Sequence, residues 1–228
     1  MGKPEFIARQ SRKPTGLLGH IVAWVMARET KPENDRTLEL LELHEHDHVL
    51  EVGFGHGETL YRAAQKVSRG QLAGVDFSDV MISRASSRNR ELLRSGRLDL
   101  RQGESHELPF ERESFNKVFT VHTIYFWADP AEDLEEIFRV LKPGGRLVIS
   151  YRSSEDKPVV QDLPDSVYRV PGAEEVETIL SRCEFQNVTT ITERIGQRLT
   201  NWTIAEKPGI HNCAKDANGC SQAFSNTI

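Results

Sequence analysis

The sequence predicts an α/β fold: a doubly wound, Rossmann-like sheet of seven mostly parallel strands, preceded by N-terminal helices. Three observations carry that expectation. Short apolar runs alternate with segments of helical period from His48 to Tyr151, the pattern of a parallel sheet covered on both faces. The first run leads directly into Gly53-Phe54-Gly55-His56-Gly57, a backbone able to turn sharply at the end of a strand. The last third of the chain abandons the alternation for one helix and two closely spaced strands. Such a pair suits a hairpin, which makes one strand antiparallel.

In chain order, the first expected helix spans 17–28, with Leu17, Ile21, Trp24 and Val25 at helical spacing. A second begins after Lys31-Pro32, a favourable first-turn proline, and carries Leu38, Leu41 and Leu43. The reading continues as strand 48–52, helix 59–66, strand 71–75, helix 78–95, strand 98–102 and strand 117–122. Helix 131–141 is expected to stop at Lys142-Pro143-Gly144-Gly145, a breaker and turn signal, before a strand over 146–151. Helix 173–182 and strands 188–195 and 199–205 complete the pattern. The organisation is therefore an N-terminal arm and helices (1–37) able to serve as a lid, one domain over 38–208, and a polar tail over 209–228.

Composition narrows the function classes. A chain of 228 residues suits one large domain, and its 38% hydrophobic and 28% charged residues are ordinary for a soluble protein. The net charge of −5 argues against nucleic acid as a partner, because phosphate-binding surfaces need a cationic excess. Stable membrane insertion is not expected: the longest candidate, 17–27, is short and interrupted by Gly19 and His20. No small-residue cleavage site follows that stretch, and Phe6 stands where myristoylation wants Ser or Thr. Three cysteines, an odd number, fit a reducing, cytoplasmic setting. No sequence feature sets an oligomeric state.

The chemistry gathers at the expected carboxyl ends of the first three strands. A G-x-G-x-G loop alone serves several nucleotide ligands, but the dinucleotide fingerprint wants glycine where this chain has Glu58. Glu51, just before the loop, would repel a pyrophosphate and attract an ammonium. Asp76 ends the next strand, about 20 residues beyond the glycines, where an acid accepts hydrogen bonds from both ribose hydroxyls. It could instead cap the following helix, a role that Ser78 would relieve it of. After the third strand comes Gly103-Glu104-Ser105, offering a carboxylate for an exocyclic amine and a backbone amide for a ring nitrogen. Three such sites in order form one ligand crevice.

These segments resemble the class I S-adenosylmethionine-dependent methyltransferases, especially the small-molecule group that includes quinone and sterol methyltransferases. LEVGFGHG is similar to their first motif, GVDFSDVMISRA to their second-strand motif, and GESHELPFERESFNKV to their adenine loop and fourth strand. EIFRVLKPGGRLVISYR is similar to their fifth-strand segment, and the likeness runs over 38–208. It implies S-adenosylmethionine as cofactor, a small-molecule acceptor, and strand order 3-2-1-4-5-7-6 with the seventh strand antiparallel. By that likeness Glu51, Gly53, Phe54, Gly55 and Gly57 hold the methionine portion, and Asp76 the ribose. Phe77 and Met81 flank the adenine, Gly103, Glu104 and Ser105 read its edge, and Thr120 to Trp127 face donor and acceptor.

Departures from related groups sharpen the expectation. Thr120-Val121-His122-Thr123 stands where base and glutamine N-methyltransferases carry Asn/Asp-Pro-Pro-Tyr. Tyr151-Arg152-Ser153-Ser154-Glu155 lacks the lysine that a short-chain dehydrogenase needs after its tyrosine. The alternatives are a catalytically silent module that binds the cofactor, and a dinucleotide-dependent oxidoreductase, which Glu51 and Glu58 disfavour.

His122, at the expected end of the fourth strand, is the candidate base, though the position equally suits a side chain that only bonds the backbone. Tyr125, Phe126, Trp127 and Tyr151 either line an acceptor pocket or pack in the core; His20 and Trp24 either close over the site or pack their helix. No metal site is expected. His44, His46 and His48 fall at the end of the sheet remote from the crevice, and His211, Cys213 and Cys220 have no fourth ligand.

Overall fold

The computed structural model describes residues 30–157, 161, 163, 164 and 166–209. The helix expected over 17–28 and the tail beyond Gly209 lie outside the described residues. The elements are α1 (Lys31–Leu40), β1 (His48–Val52), α2 (Glu58–Lys66), β2 (Gln71–Asp76), α3 (Asp79–Arg88), α4 (Arg90–Arg94), β3 (Leu98–Gln102) and β4 (Phe115–Val121). A 3-10 turn (Ile124–Phe126) follows, then α5 (Pro130–Val140), β5 (Leu141–Arg152), α6 (Ala173–Arg182), β6 (Gln186–Ile195) and β7 (Arg198–Glu206).

One seven-stranded sheet has the order β3-β2-β1-β4-β5-β7-β6, as expected. Only β7 runs antiparallel to its neighbours, β5 and β6. The central strands are buried on both faces, which is why they read as continuous apolar runs rather than alternating ones. Leu50, Val118, Leu147 and Ile149 face one core with Leu134 and Ile137 of α5 and Val176 and Leu180 of α6. Val49, Phe119, Val148 and Trp202 face the other, with Leu38 of α1, Leu60 and Ala63 of α2 and Ala85 of α3. Trp202 Nε1 donates to Thr37 Oγ1 at 3.0 Å, and Arg36 pairs with Glu193 at 2.7 Å. Those two contacts seat α1 against β6 and β7.

Register then places the crevice. Val52 pairs with Val75 on one side and Thr120 on the other, and Val121 pairs with Ser150. The carboxyl ends of β1, β2, β4 and β5 therefore stand side by side, and the loops after them share one edge.

Three expectations are corrected. The helix expected over 78–95 breaks at Asn89, whose Nδ2 donates to the carbonyls of Gly57 and Ala85, each at 3.0 Å. A side chain committed to the glycine loop and to the preceding turn ends α3, and α4 starts anew. The Lys142-Pro143-Gly144-Gly145 segment does not precede β5 but lies within it. Phe115 pairs with Leu141 and Lys117 with Arg146, so the extra residues form an irregularity, with Gly144 at φ +77°. Finally, β4 begins at Phe115 and ends at Val121, leaving His122 just past the strand at φ +59°. Among the described residues no helix is long and apolar enough to cross a membrane.

Candidate active site

The site starts where β1 runs out. Gly53 takes φ +75° and its N–H donates to the Val75 carbonyl at 2.8 Å, turning the chain against β2. A Cβ there would lie 2.2 Å from Thr123 Cγ2, so this glycine permits the close approach of two loops. Gly55, at φ +54°, is different: a Cβ there would meet nothing within 4 Å among the described residues. Its missing side chain leaves open space beside the backbone, where a ligand can approach.

Two carboxylates flank that space. Glu51 is 3% exposed, and burial, then the neighbouring Asp76, raises its carboxyl well above the usual carboxylate range. Thr59 and the Leu60 N–H bond it, yet among the described residues Oε2 has no hydrogen-bond partner. A half-satisfied buried carboxylate is costly, and a ligand ammonium is what would complete it. Asp76 Oδ2 accepts the Gly55 N–H at 2.9 Å and Oδ1 the Ser78 N–H at 2.9 Å. Burial pushes its carboxyl up to about 6 despite those bonds, with Glu104 adding to the rise. The proposed division of labour with Ser78 is therefore corrected: the Ser78 hydroxyl makes no cap bond to α3, and Asp76 itself holds this turn. Each carboxylate oxygen accepts more than one bond, so Asp76 can still receive two ribose hydroxyls.

The third loop joins the first two, because the Gly103 N–H donates to the Asp76 carbonyl at 3.2 Å. Glu104 is exposed and Ser105 half-buried, the latter bonded to Asp133 of α5. Phe77 is half-buried and Met81 buried at the start of α3. Phe54 packs into the core beneath the loop, so only its backbone borders the crevice.

On the other side of Gly53, the hydroxyls of Thr120 and Thr123 contact each other. His122 donates its backbone N–H to the Ser150 carbonyl at 2.8 Å, and its Nδ1 lies 2.9 Å from the Tyr125 hydroxyl. Burial, with the Arg152 and Arg198 charges, drives the imidazole down to about 3, so it is neutral at physiological pH. Burial likewise raises the Tyr125 phenol, which accepts the backbone N–H of Arg152.

Sequence reasoning missed the group that faces this imidazole. Glu33, wholly buried on α1, places Oε1 4.0 Å from His122 Nε2 and 3.6 Å from Arg152 Nη1. Among the described residues neither of its carboxylate oxygens has a hydrogen-bond partner. Arg152 also reaches Thr200 Oγ1 of β7 at 3.3 Å. A signal existed: Glu33, Thr37 and Leu41 share one helical stripe, so the charge stood on the face that packs.

Other expectations are redistributed. Tyr151 lies on the opposite face of β5, wholly buried, its hydroxyl 2.9 Å from Thr203 Oγ1. It packs in the core rather than bordering an acceptor. Trp127 is also a core residue. Residues after β5 also reach the site: Tyr168 packs 6.1 Å from the Tyr125 ring, and Arg169 N–H bonds the Tyr125 carbonyl at 3.2 Å. His20 and Trp24 lie outside the described residues. The segment from His44 to His48 is a turn closed by the His44 N–H bonding Asp47 at 2.8 Å. Among the described residues no three His, Cys, Asp or Glu side chains gather as a metal set.

A family model described as a methyltransferase domain matches residues 43–204, which contain the loop, both carboxylates, β1 to β6 and most of β7. The chain belongs to the class I S-adenosylmethionine-dependent methyltransferases. S-adenosylmethionine is the cofactor that this family uses, and the orphaned Glu51 oxygen, the open side of Gly55 and Asp76 fit it. A Bacillus subtilis (strain 168) protein named as a methyltransferase, YrhH, is 31% identical over 143 residues, 61% of this chain and 78% of that protein. The demethylmenaquinone methyltransferase of Lactiplantibacillus plantarum is 33% identical over 127 residues, covering 55% of this chain and 54% of its own length. A crystal structure of an S-adenosylmethionine-dependent methyltransferase from Aquifex aeolicus shares the fold at TM-score 0.63 and 22% identity, over 76% of this chain and 89% of that one.

Proposed function

We propose that this methyltransferase acts on a small organic acceptor held at the carboxyl ends of β4 and β5, beside His122. The observation that carries the reading is the polar group of His122, whose Nε2 is buried, with buried Tyr125, Glu33 and Arg152, set one residue from the Gly53–Thr123 contact. Unspent hydrogen-bonding groups that deep suit a compact molecule enclosed by protein, not a polymer lying across a surface. The net charge of −5 points the same way, since a nucleic-acid substrate would meet repulsion. A relative bearing the name demethylmenaquinone methyltransferase is consistent with it.

S-adenosylmethionine brings a methyl on a sulfonium that is its own leaving group. The chain must then bind, align and manage one proton. Glu51 and Asp76 anchor the donor's two polar ends, the glycines let it lie against the backbone, and the cluster beyond Thr123 orients the acceptor. No Lewis acid is needed for such a transfer. A free, buried Cys183 accords with a reducing cytoplasmic location. The test is formation of S-adenosylhomocysteine across a library of small hydroxyl, amine, thiol and activated-carbon compounds, alongside RNA and protein extracts. Turnover confined to the macromolecular fractions would overturn the proposal.

A further inference from the structure

The hydrogen bonds around His122 fix which of its nitrogens carries the proton. Tyr125 Oη accepts the Arg152 backbone N–H, so the phenolic proton must go elsewhere. Its one other hydrogen-bond partner among the described residues is His122 Nδ1, at 2.9 Å. If Nδ1 also carried a proton, the buried phenol would have no acceptor, a cost of about 1–3 kcal/mol. Tyr125 therefore donates to Nδ1, and the neutral imidazole keeps its proton on Nε2. Among the described residues that N–H has no hydrogen-bond partner, and neither do the two oxygens of Glu33. The two groups face each other across 4.0 Å, too far for a direct bond. Arg152 Nη1, 3.6 Å from Glu33 Oε1, supplies the countercharge without spending the carboxylate's hydrogen-bonding capacity.

A donor and an acceptor, both buried and both unspent, specify what sits between them. An oxygen bearing one proton satisfies both, accepting from Nε2–H and donating to Glu33, and it keeps a second lone pair free. A neutral amine nitrogen has a single lone pair; once that accepts from Nε2–H, nothing remains to attack a methyl. We infer that the acceptor is a hydroxyl compound, an alcohol, phenol or enol, with His122 donating to its oxygen and Glu33 taking its proton. This rests on the small-molecule reading above and makes Glu33, not His122, the base. In the transfer the acceptor oxygen forms the new O–C bond. The C–S bond breaks with its electron pair left on sulfur, and the hydroxyl proton passes to a Glu33 oxygen. One sulfonium charge and one carboxylate charge disappear together.

Two measurements decide it. In long-range 1H–15N spectra of the intact protein without acceptor, His122 should show a protonated Nε2 and a bare Nδ1; the reverse pattern overturns the inference whatever the activity. In assays on paired phenols, aliphatic alcohols and primary and secondary amines, turnover should fall on hydroxyl compounds. There Glu33→Gln should lower kcat by about 100-fold or more, the usual contribution of a positioned base, while S-adenosylhomocysteine binds as in wild type. Turnover on amines alone, or a Glu33→Gln enzyme within threefold of wild type on a hydroxyl acceptor, overturns it and leaves the methyltransferase reading intact. Failure on every small compound would sink the broader reading instead, with the tautomer still deciding the hydrogen-bond geometry.

Discussion

Alanine at Gly53 and alanine at Gly55 should fail in different ways, although the two glycines lie two residues apart in one loop. Both hold positive φ, +75° and +54°, so each substitution costs about 1–2 kcal/mol in backbone strain. At Gly53 the new methyl also falls 2.2 Å from Thr123 Cγ2, and Thr123 is pinned through its hydroxyl to Thr120. Overpacking of that kind adds about 1–3 kcal/mol. Gly53→Ala should thus lose about 2–5 kcal/mol, which for a domain of this size lowers Tm by roughly 4–20 °C. At Gly55 nothing among the described residues lies within 4 Å, so only the strain remains and Tm should drop by about 2–8 °C. The space that its methyl enters is the space expected for the cofactor, so the loss should appear in binding. Scanning calorimetry and titration with S-adenosylhomocysteine read the two effects separately. Equal losses of Tm, or wild-type affinity in Gly55→Ala, would show that the open side of Gly55 is not where the ligand lies.

Three further outcomes are expected. Affinity for S-adenosylmethionine should rise with pH through about 6, because hydroxyl donors bind the ionised form of Asp76, whose free carboxyl sits near that value. By linkage the complex should be about tenfold weaker at pH 5 than at pH 7, with the raised Glu51 acting in the same sense, and a flat profile in titration calorimetry would refute the assignment. Asn89→Ala should remove the donor to the Gly57 carbonyl and cost about 1–3 kcal/mol, readable as a lower urea midpoint with unchanged m-value. Methyl transfer should survive exhaustive chelation; loss of activity restored by added magnesium or zinc would contradict the metal-free transfer.

The proposed donor half of the site could be argued from the sequence and the proposed acceptor half could not, for a physical reason. The contacts proposed for the cofactor rest on backbone: glycines at positive φ, and acids at the ends of strands. Those requirements show as residue type at fixed spacing, as in Glu51, Gly53, Gly55 and Asp76. The acceptor side is assembled from side chains of α1, β4, β5 and β7, which meet only through tertiary packing. Nothing near Glu33 in the chain announces His122 or Arg152. Tyr151 shows the same gap in reverse: its place on β5 was read correctly, but one step of strand alternation sends it into the core while Arg152 turns toward Glu33. The apolar runs and the hairpin spacing carried the parallel class and the antiparallel strand, the family resemblance carried the strand order, and the break at Asn89 depended on a carbonyl supplied from another loop.

Seven buried side-chain atoms among the described residues have no hydrogen-bond partner: both oxygens of Glu33, Glu51 Oε2, Asn89 Oδ1, Arg97 Nε, His122 Nε2 and Ser150 Oγ. Those of Glu33, Glu51, His122 and Ser150 belong to residues at or beside the carboxyl edge of β1, β4 and β5, so the cost concentrates where ligands are expected. A fold selected for stability alone would have removed it. Ser150 offers the cleanest measure. Its hydroxyl is fully buried, while its carbonyl alone holds the His122 N–H and survives substitution. Ser150→Ala should therefore delete an unsatisfied polar group and keep the backbone bond, raising stability by about 1 kcal/mol, or roughly 2–4 °C in Tm. The change leaves a void no larger than one oxygen, too small to reverse that sign. A lower Tm in Ser150→Ala would mean that the hydroxyl is satisfied in solution, and the argument from unspent groups at this edge would lose its footing.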